Sequence, residues 1–408
     1  MKALRSFINP ALLIGVIAML GLGGCGKEPR KAVGLMDTPQ HHTGIGHDFI
    51  EKGNWKEAGK SFDLAIGLGK DHGPAFAGKA IVVAHGATAG GLDAEQREKL
   101  FEQADDLVDQ ALDKAETPGE KRTAHVAGIR VHRLTKVERK WLVEAEEHYE
   151  DAVKLDKRRL DPDPHFYMAR AYRDAFEVRK AVDLYRKVLG MNSRKSGMAT
   201  TEMALVQKVI RAEPGSRHGR VIAFAPSISR ADIAALFIEE LRLERLYQRG
   251  NTRRFDTGFK PPTQDRKFEA DKVVRAAEVT DIARHPLRAD ILAVIKLRVA
   301  GLQPDARHRF YPNQPLRRAQ FAMMVQDILV KVTGEKGLAT KFVGQASPFG
   351  DVRGDHFSFN AIVTVTSRGL MEPLDKIKGD FGPKKPVHGA DALLVIRLLN
   401  NQLRRYIR

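Results

Sequence analysis

Ile222-Ala223-Phe224-Ala225-Pro226-Ser227-Ile228-Ser229-Arg230-Ala231-Asp232-Ile233-Ala234 lies without a gap over Phe310-Tyr311-Pro312-Asn313-Gln314-Pro315-Leu316-Arg317-Arg318-Ala319-Gln320-Phe321-Ala322. A third copy follows as Phe381-Gly382-Pro383-Lys384-Lys385-Pro386-Val387-His388-Gly389-Ala390-Asp391-Ala392-Leu393. Each copy passes through prolines that resist helix and then enters an apolar pattern of helical period. The second and third copies also share an upstream half. Thr280-Asp281 through Ile291, Val294, Ile295 and Gly301-Leu302 corresponds to Gly350-Asp351 through Ile362, Val365 and Gly369-Leu370. One unit therefore reads as a helix, a glycine-containing turn, an extended loop and an N-capped second helix. Asp281 and Asp351 are expected to cap the first helix and Ser229 the second, each by accepting backbone N–H groups.

This arrangement resembles the S-layer homology domain, and the motifs span about 199–247, 279–333 and 348–400. The resemblance implies a pseudo-threefold helical bundle whose grooves bind peptidoglycan or an associated anionic cell-wall polysaccharide. The family's hallmark is a Thr-Arg-Ala-Glu-like tetrad that opens the second helix. Its counterparts here are Ser229-Arg230-Ala231-Asp232, Arg317-Arg318-Ala319-Gln320 and His388-Gly389-Ala390-Asp391. By position, Arg230 and Arg318 are the implied polysaccharide-binding residues, with Ser229, Asp232, Arg317 and Gln320 as possible groove contributors. A guanidinium at a helix N-terminus suits a carboxylate, because its fork binds bidentately and the helix end favours an anion. Gly389 removes the arginine from the third motif, Gln320 replaces the acid in the second, and the first motif has a weak upstream half. At most two competent grooves are expected. The alternative is a bundle that only packs, with its arginines solvated. Residues 248–278, rich in Arg, Lys and Pro, form an insertion expected to be a solvated loop.

Upstream of this region, residues 47–190 carry apolar residues at helical spacing and little β-branched alternation. Gly53-Asn54-Trp55-Lys56-Glu57-Ala58 followed by Phe62, Ala65 and Ile66 resembles the second helix of a tetratricopeptide repeat. Ala145, Tyr149, Ala152, Val153 and Leu155 form a comparable unit. A fuller one has Ala169, Ala171 and Tyr172, then Ala181, Val182, Tyr185, Val188 and Leu189. The resemblance implies stacked helical pairs, a solenoid with a surface for protein partners. An irregular helical bundle would carry the same stripes, and residues 80–140 fit the repeat poorly. The expected fold class is mainly α throughout.

At the N-terminus, Lys2 and Arg5 precede an apolar run from Phe7 to Leu22, and Leu22-Gly23-Gly24 leads into Cys25, the one cysteine of the chain. This pattern reads as a secretory signal over residues 1–24. It resembles the lipobox of bacterial lipoproteins, which implies acylation of the Cys25 thiol and a membrane anchor, since each buried methylene contributes about 0.8 kcal/mol. Gly26 in place of Asp resembles outer-membrane sorting, and so implies an outer-membrane lipoprotein that faces the periplasm. Residues 25–46 lack an apolar period and read as a flexible tether.

The 408 residues, 43% apolar and 29% charged, fit two or three domains and exclude collagen-like, disordered and disulfide-scaffold classes. Residues 1–190 carry 30 Lys and Arg against 29 Asp and Glu, whereas residues 191–408 carry 38 against 22, so +16 of the net +17 lies in the second half. Such a field favours an anionic partner. An address outside the cytoplasm makes that partner a wall polymer and argues against nucleic acid.

His41, His42 and His47 stand in the tether without a carboxylate or cysteine at ligand spacing, so no metal site is assigned to them. Ala84-His85-Gly86-Ala87-Thr88-Ala89-Gly90-Gly91 lacks the Lys-Ser/Thr ending of a phosphate loop and reads as an inter-helix loop. Trp55 and Trp141 fit core positions. No carboxylate pair or activated nucleophile forms a recognisable catalytic motif, and no cofactor is implied. The sequence thus points to a non-enzymatic envelope lipoprotein that couples membrane to wall. The alternative is a scaffold or assembly factor of an export or outer-membrane machine, with wall binding secondary.

Overall fold

The computed structural model describes residues 30–136, 140–158, 160–251 and 279–406. The signal segment, Cys25 and most of the 248–278 insertion lie outside the described residues. The described chain is mainly α-helical, with only isolated β-bridges and no named strand. No described helix is long and apolar enough to cross a membrane. The chain divides into two compact units, residues 1–196 and 197–408.

The first unit contains α1 (Pro39–Glu51), α2 (Trp55–Leu68), α3 (Gly73–Ala87), α4 (Ala94–Asp113), α5 (Pro118–Thr135), α6 (Trp141–Leu155), α7 (Asp163–Asp174) and α8 (Val178–Gly190). Successive helices pair as α1–α2, α3–α4, α5–α6 and α7–α8, and the first members also pack on one another, α1 on α3, α3 on α5 and α5 on α7. The pairing includes the helices over residues 80–135, within the stretch where the sequence pattern is weakest. Small residues make the close approaches possible: a Cβ at Gly46 or Gly78 would lie 2.6 or 2.1 Å from the buried Phe62 ring.

The expected tether ends earlier than residue 46. Thr38 caps α1 by accepting from the His41 N–H at 3.2 Å, and Pro39 occupies the first turn, where its missing N–H costs nothing. Thr43, Gly46 and Ile50 then face the core, a stripe too short and polar to stand out by period alone. The three histidines are accordingly helical. His42 pairs with Asp37 at 2.7 Å, and His47 packs edge-on against Phe62. Ala84–Ala87 belongs to α3, so only the end of the glycine-rich stretch forms a loop. Trp55 stacks on His85 at 3.7 Å between ring centroids.

The second unit contains α9 (Ser196–Ala212), which begins at the boundary, then α10 (Arg217–Ile222), α11 (Arg230–Glu239), α12 (Leu243–Asn251), α13 (Arg288–Lys296), α14 (Arg318–Thr333), α15 (Phe359–Ser367) and α16 (Gly389–Leu403). The helices α11, α14 and α16 open the three sequence copies at matching positions. The residues just before them close a ring of backbone hydrogen bonds. Leu316 N–H donates to Ile228 O at 2.9 Å, Val387 N–H to Leu316 O at 3.0 Å, and Ile228 N–H to Val387 O at 3.0 Å. Ile228, Leu316 and Val387 occupy the same column of the alignment, and all three are buried. The internal repeat is thus a three-membered arrangement in space.

Candidate functional site

Ser229 caps α11 as its sequence implies. Its Oγ accepts from the Asp232 N–H at 3.2 Å, and the Asp232 carboxylate accepts from the Ser229 N–H at 2.8 Å, which closes a capping box. In the second motif the Arg317 N–H donates to Gln320 Oε1 at 3.0 Å. Asp281 and Asp351 act differently from the expected helix caps. Asp281 accepts from the N–H groups of Phe310 and Tyr311 at 2.8 and 2.6 Å, and Asp351 from those of Phe381 and Gly382 at 2.8 and 2.7 Å. Each aspartate therefore fastens the loop of its own motif, whose prolines and turns leave N–H groups without helical partners.

The two arginines assigned to the polysaccharide direct most of their donor nitrogens to backbone carbonyls of the next motif. Arg230 is 9% exposed and donates from Nε to Phe310 O at 2.8 Å, from Nη1 to Gly301 O at 2.5 Å and from Nη2 to Gln303 O at 3.4 Å. Arg318 is 5% exposed and donates from Nε to Phe381 O at 2.9 Å and from Nη2 to Glu372 O at 2.6 Å. Each guanidinium also lies over the ring of the phenylalanine whose carbonyl it binds, at 4.8 and 4.6 Å from the centroids. These bonds clasp motif one to motif two and motif two to motif three. Burial holds both guanidinium pKa values below the usual arginine range, with Asp281 opposing the shift at Arg230 and Asp391 and Asp351 at Arg318.

The third junction has no arginine because its geometry has no room for one. A Cβ on Gly389 would lie 1.7 Å from the carbonyl oxygen of Ile222, the residue aligned with Phe310 and Phe381. That carbonyl fills the space through which an arginine would leave the backbone. Gly389 N–H instead donates to Ala225 O at 2.9 Å.

A cleft of about 420 Å³ opens between the first and second motifs, lined by His218, Ser229, Asp232, His285, Pro286, Leu287 and Asn313. Two of the sequence-assigned contributors, Ser229 and Asp232, line it. His218, carried by α10, meets Asp232 Oδ1 at 3.0 Å, and His285 accepts from the Leu287 N–H at 3.1 Å. Both histidines lie within the spans of motifs one and two but outside the tetrads, and His285 has a counterpart in His356 of the third motif, whose Nδ1 likewise accepts from the N–H two residues on, at 3.3 Å. The cleft offers hydroxyl, imidazole, amide and carboxylate groups beside an apolar Pro–Leu wall, a combination suited to sugar hydroxyls and ring faces. Arg317, at the position equivalent to Ser229 in the second motif, is exposed, and Gln320 is half-buried. No family model and no curated protein sequence matches this chain.

The Asp232 carboxylate, 3.0 Å from His218 Nε2, raises the His218 pKa above 6.5 against the opposing effect of burial. A raised histidine pKa stabilises the folded state fully below its unfolded value, and the gain disappears as pH rises through the folded value. His218→Gln is therefore expected to lower the unfolding midpoint relative to wild type most below pH 6.5. The part of the deficit that depends on the imidazolium should vanish in alkaline solution. Urea melts at several pH values measure this, and a deficit independent of pH would show that the imidazolium–carboxylate contact contributes nothing.

Proposed function

We propose that this protein is a non-enzymatic cell-envelope lipoprotein, anchored through acylated Cys25, whose second unit is an S-layer homology-like bundle that binds an anionic wall polysaccharide or peptidoglycan. The first unit, a tetratricopeptide-like solenoid of four helical pairs, would bind a protein partner and so couple the membrane to the wall. The observation that carries this reading is the polar cleft between motifs one and two, placed at a capped helix N-terminus in the half of the chain that holds nearly all the net positive charge. Arg230 and Arg318 have no ligand role here. Ser229, Asp232, His218, His285 and Asn313 supply the hydrogen bonds to sugar, and exposed Arg317 supplies a cation to an acidic substituent.

The test is co-sedimentation of the full chain with isolated sacculi, with and without their accessory polymers, across a salt series. Binding should be saturable and weaken as salt screens the charges. Asn313→Asp and Arg317→Glu, both at exposed positions, should each weaken it by at least about tenfold, since each sets a like charge against the polymer. Failure of the wild-type protein to sediment, or undiminished binding by both folded variants, would refute the assignment.

A further inference from the structure

A second cleft, of about 430 Å³, lies within the first unit where the end of α6, the start of α7 and the end of α8 come together. Cavities of about 300–1,000 Å³ that set a few polar groups against an apolar wall are the usual sites of small molecules. Val153, Pro164 and Met191 supply the apolar wall here.

Carboxylates hold the chain that joins α6 to α7. Asp156, just past the end of α6, accepts from the Asp161 N–H at 2.9 Å through Oδ2, and Asp161 accepts from the Asp163 N–H at 2.9 Å through Oδ1. The other Asp161 oxygen takes Arg122 Nε of α5 at 2.5 Å. Both oxygens of Asp161 are therefore engaged, and they tie the loop to α5 and to the first turn of α7. Asp156, which also lines the cleft, keeps Oδ1 without a hydrogen bond among the described residues.

His165, 8% exposed, holds its Nδ1 at 2.9 Å from the Tyr149 hydroxyl, which fixes both rings in the cleft wall. Its Nε2 makes no hydrogen bond among the described residues. Burial, then the Lys187 charge, lower the His165 pKa against Asp156 and Asp161, and burial raises that of Tyr149. Near pH 7 both groups are neutral and act as hydrogen-bonding groups rather than charges.

The charges left in the cleft are one carboxylate and one ammonium. Lys187, exposed on α8, makes no hydrogen bond or ion pair among the described residues, although Asp156 lines the same cleft. Opposite charges that line one cavity without meeting are complementary to a ligand that carries the reverse pair. Asp156 would oppose an anion alone, Lys187 would oppose a cation alone, and a neutral sugar would use neither charge. An α-amino acid carries an ammonium and a carboxylate on one carbon, and the flexible lysine stem adjusts to reach the second of them.

We propose that this cleft binds a small zwitterion with an aliphatic side chain, an α-amino acid or its dipeptide, whose ammonium pairs with Asp156 and whose carboxylate pairs with Lys187. The ligand side chain rests on Val153, Pro164 and Met191, and Tyr149 and His165 supply hydrogen bonds. The site lies wholly within the first unit, so the inference stands or falls apart from wall binding by the second.

The test is a ligand-observed NMR titration of the full chain with leucine and with leucyl-leucine, the tighter of which gives the size of the ligand. Leucinamide, which lacks the carboxylate, and N-acetyl-leucine, which lacks the ammonium, are the controls. Saturable binding of one equivalent is expected, at least about tenfold tighter for the zwitterion than for either control. Lys187→Gln should weaken the zwitterion by at least about tenfold and leave leucinamide unchanged. Asp156→Asn should weaken the zwitterion by a similar factor without weakening N-acetyl-leucine. Asp156 also holds its loop, so if that variant fails to fold, Lys187→Gln and the two controls still decide the matter.

Three results would each overturn the proposal: no saturable binding of leucine or leucyl-leucine, controls that bind as tightly as the zwitterion, and undiminished binding by folded Lys187→Gln.

Discussion

Arg318→Ala is expected to destabilise the second unit rather than to weaken a ligand contact. The guanidinium serves two carbonyls, those of Phe381 and Glu372, and its side chain is almost wholly buried. Truncation leaves both acceptors without a donor, and each buried unpaired group costs about 1–3 kcal/mol, so the total is about 2–6 kcal/mol. Arg230→Ala should behave alike, since three carbonyls depend on it. Arg318→Lys should recover part of the loss at most, because an ammonium cannot reproduce the fork that spans two separate carbonyls. Urea titration followed by circular dichroism measures the effect as a lowered midpoint of one transition. A wild-type midpoint combined with lost sedimentation on sacculi would return the arginines to the polymer.

The second large effect is expected at Gly389. Replacement by Ala brings a Cβ within 1.7 Å of the Ile222 oxygen, an approach that real side chains do not make, and the obstruction is backbone rather than a flexible side-chain end. Relief requires α16 to move away from the Ile222–Ala225 turn, which breaks the Gly389–Ala225 hydrogen bond and strains the Ile228–Val387 link of the ring. Overpacking of this kind costs about 1–3 kcal/mol, and the lost bonds raise it toward the upper end or beyond. Gly389→Arg, which would complete the arginine-containing tetrad in the third motif, should be worse still. It is expected to yield less soluble protein and a lower midpoint than Gly389→Ala. A Gly389→Arg protein of wild-type stability would show that the third junction can open like the other two.

These two positions illustrate how far the sequence reaches. The three-copy repeat, the helices that follow it and the Ser229 cap were legible because they depend on neighbours within a few residues: a capping box is closed by its own first turn. The loss of arginine at Gly389 was also visible, as a departure from the other two copies. Its cause was not, because the obstructing carbonyl of Ile222 comes from the end of α10, 167 positions earlier in the chain.

The same limit explains the arginines themselves. A guanidinium at a helix N-terminus has the right chemistry for an anion outside or for carbonyls inside, and local sequence does not distinguish the two. The outcome depends on the loops of motifs two and three, which carry Phe310, Gly301, Phe381 and Glu372 toward the helix start. His218 and His285 escaped notice for a related reason. They lie outside the tetrad that holds Ser229 and Asp232, and only the packing of α10 and of the loop before α13 brings them to one cleft.

By itself, the sequence determined the helical class, the threefold repetition, the places where helices begin and the uneven division of charge between the halves. Each of these follows from residue spacing and from interactions that close within a turn. Tertiary structure alone decided which polar groups remain available to a partner. A donor is free or spent according to what distant segments bring against it, and burial makes that pairing obligatory for Arg230 and Arg318 while leaving Arg317, one residue away from Arg318, exposed.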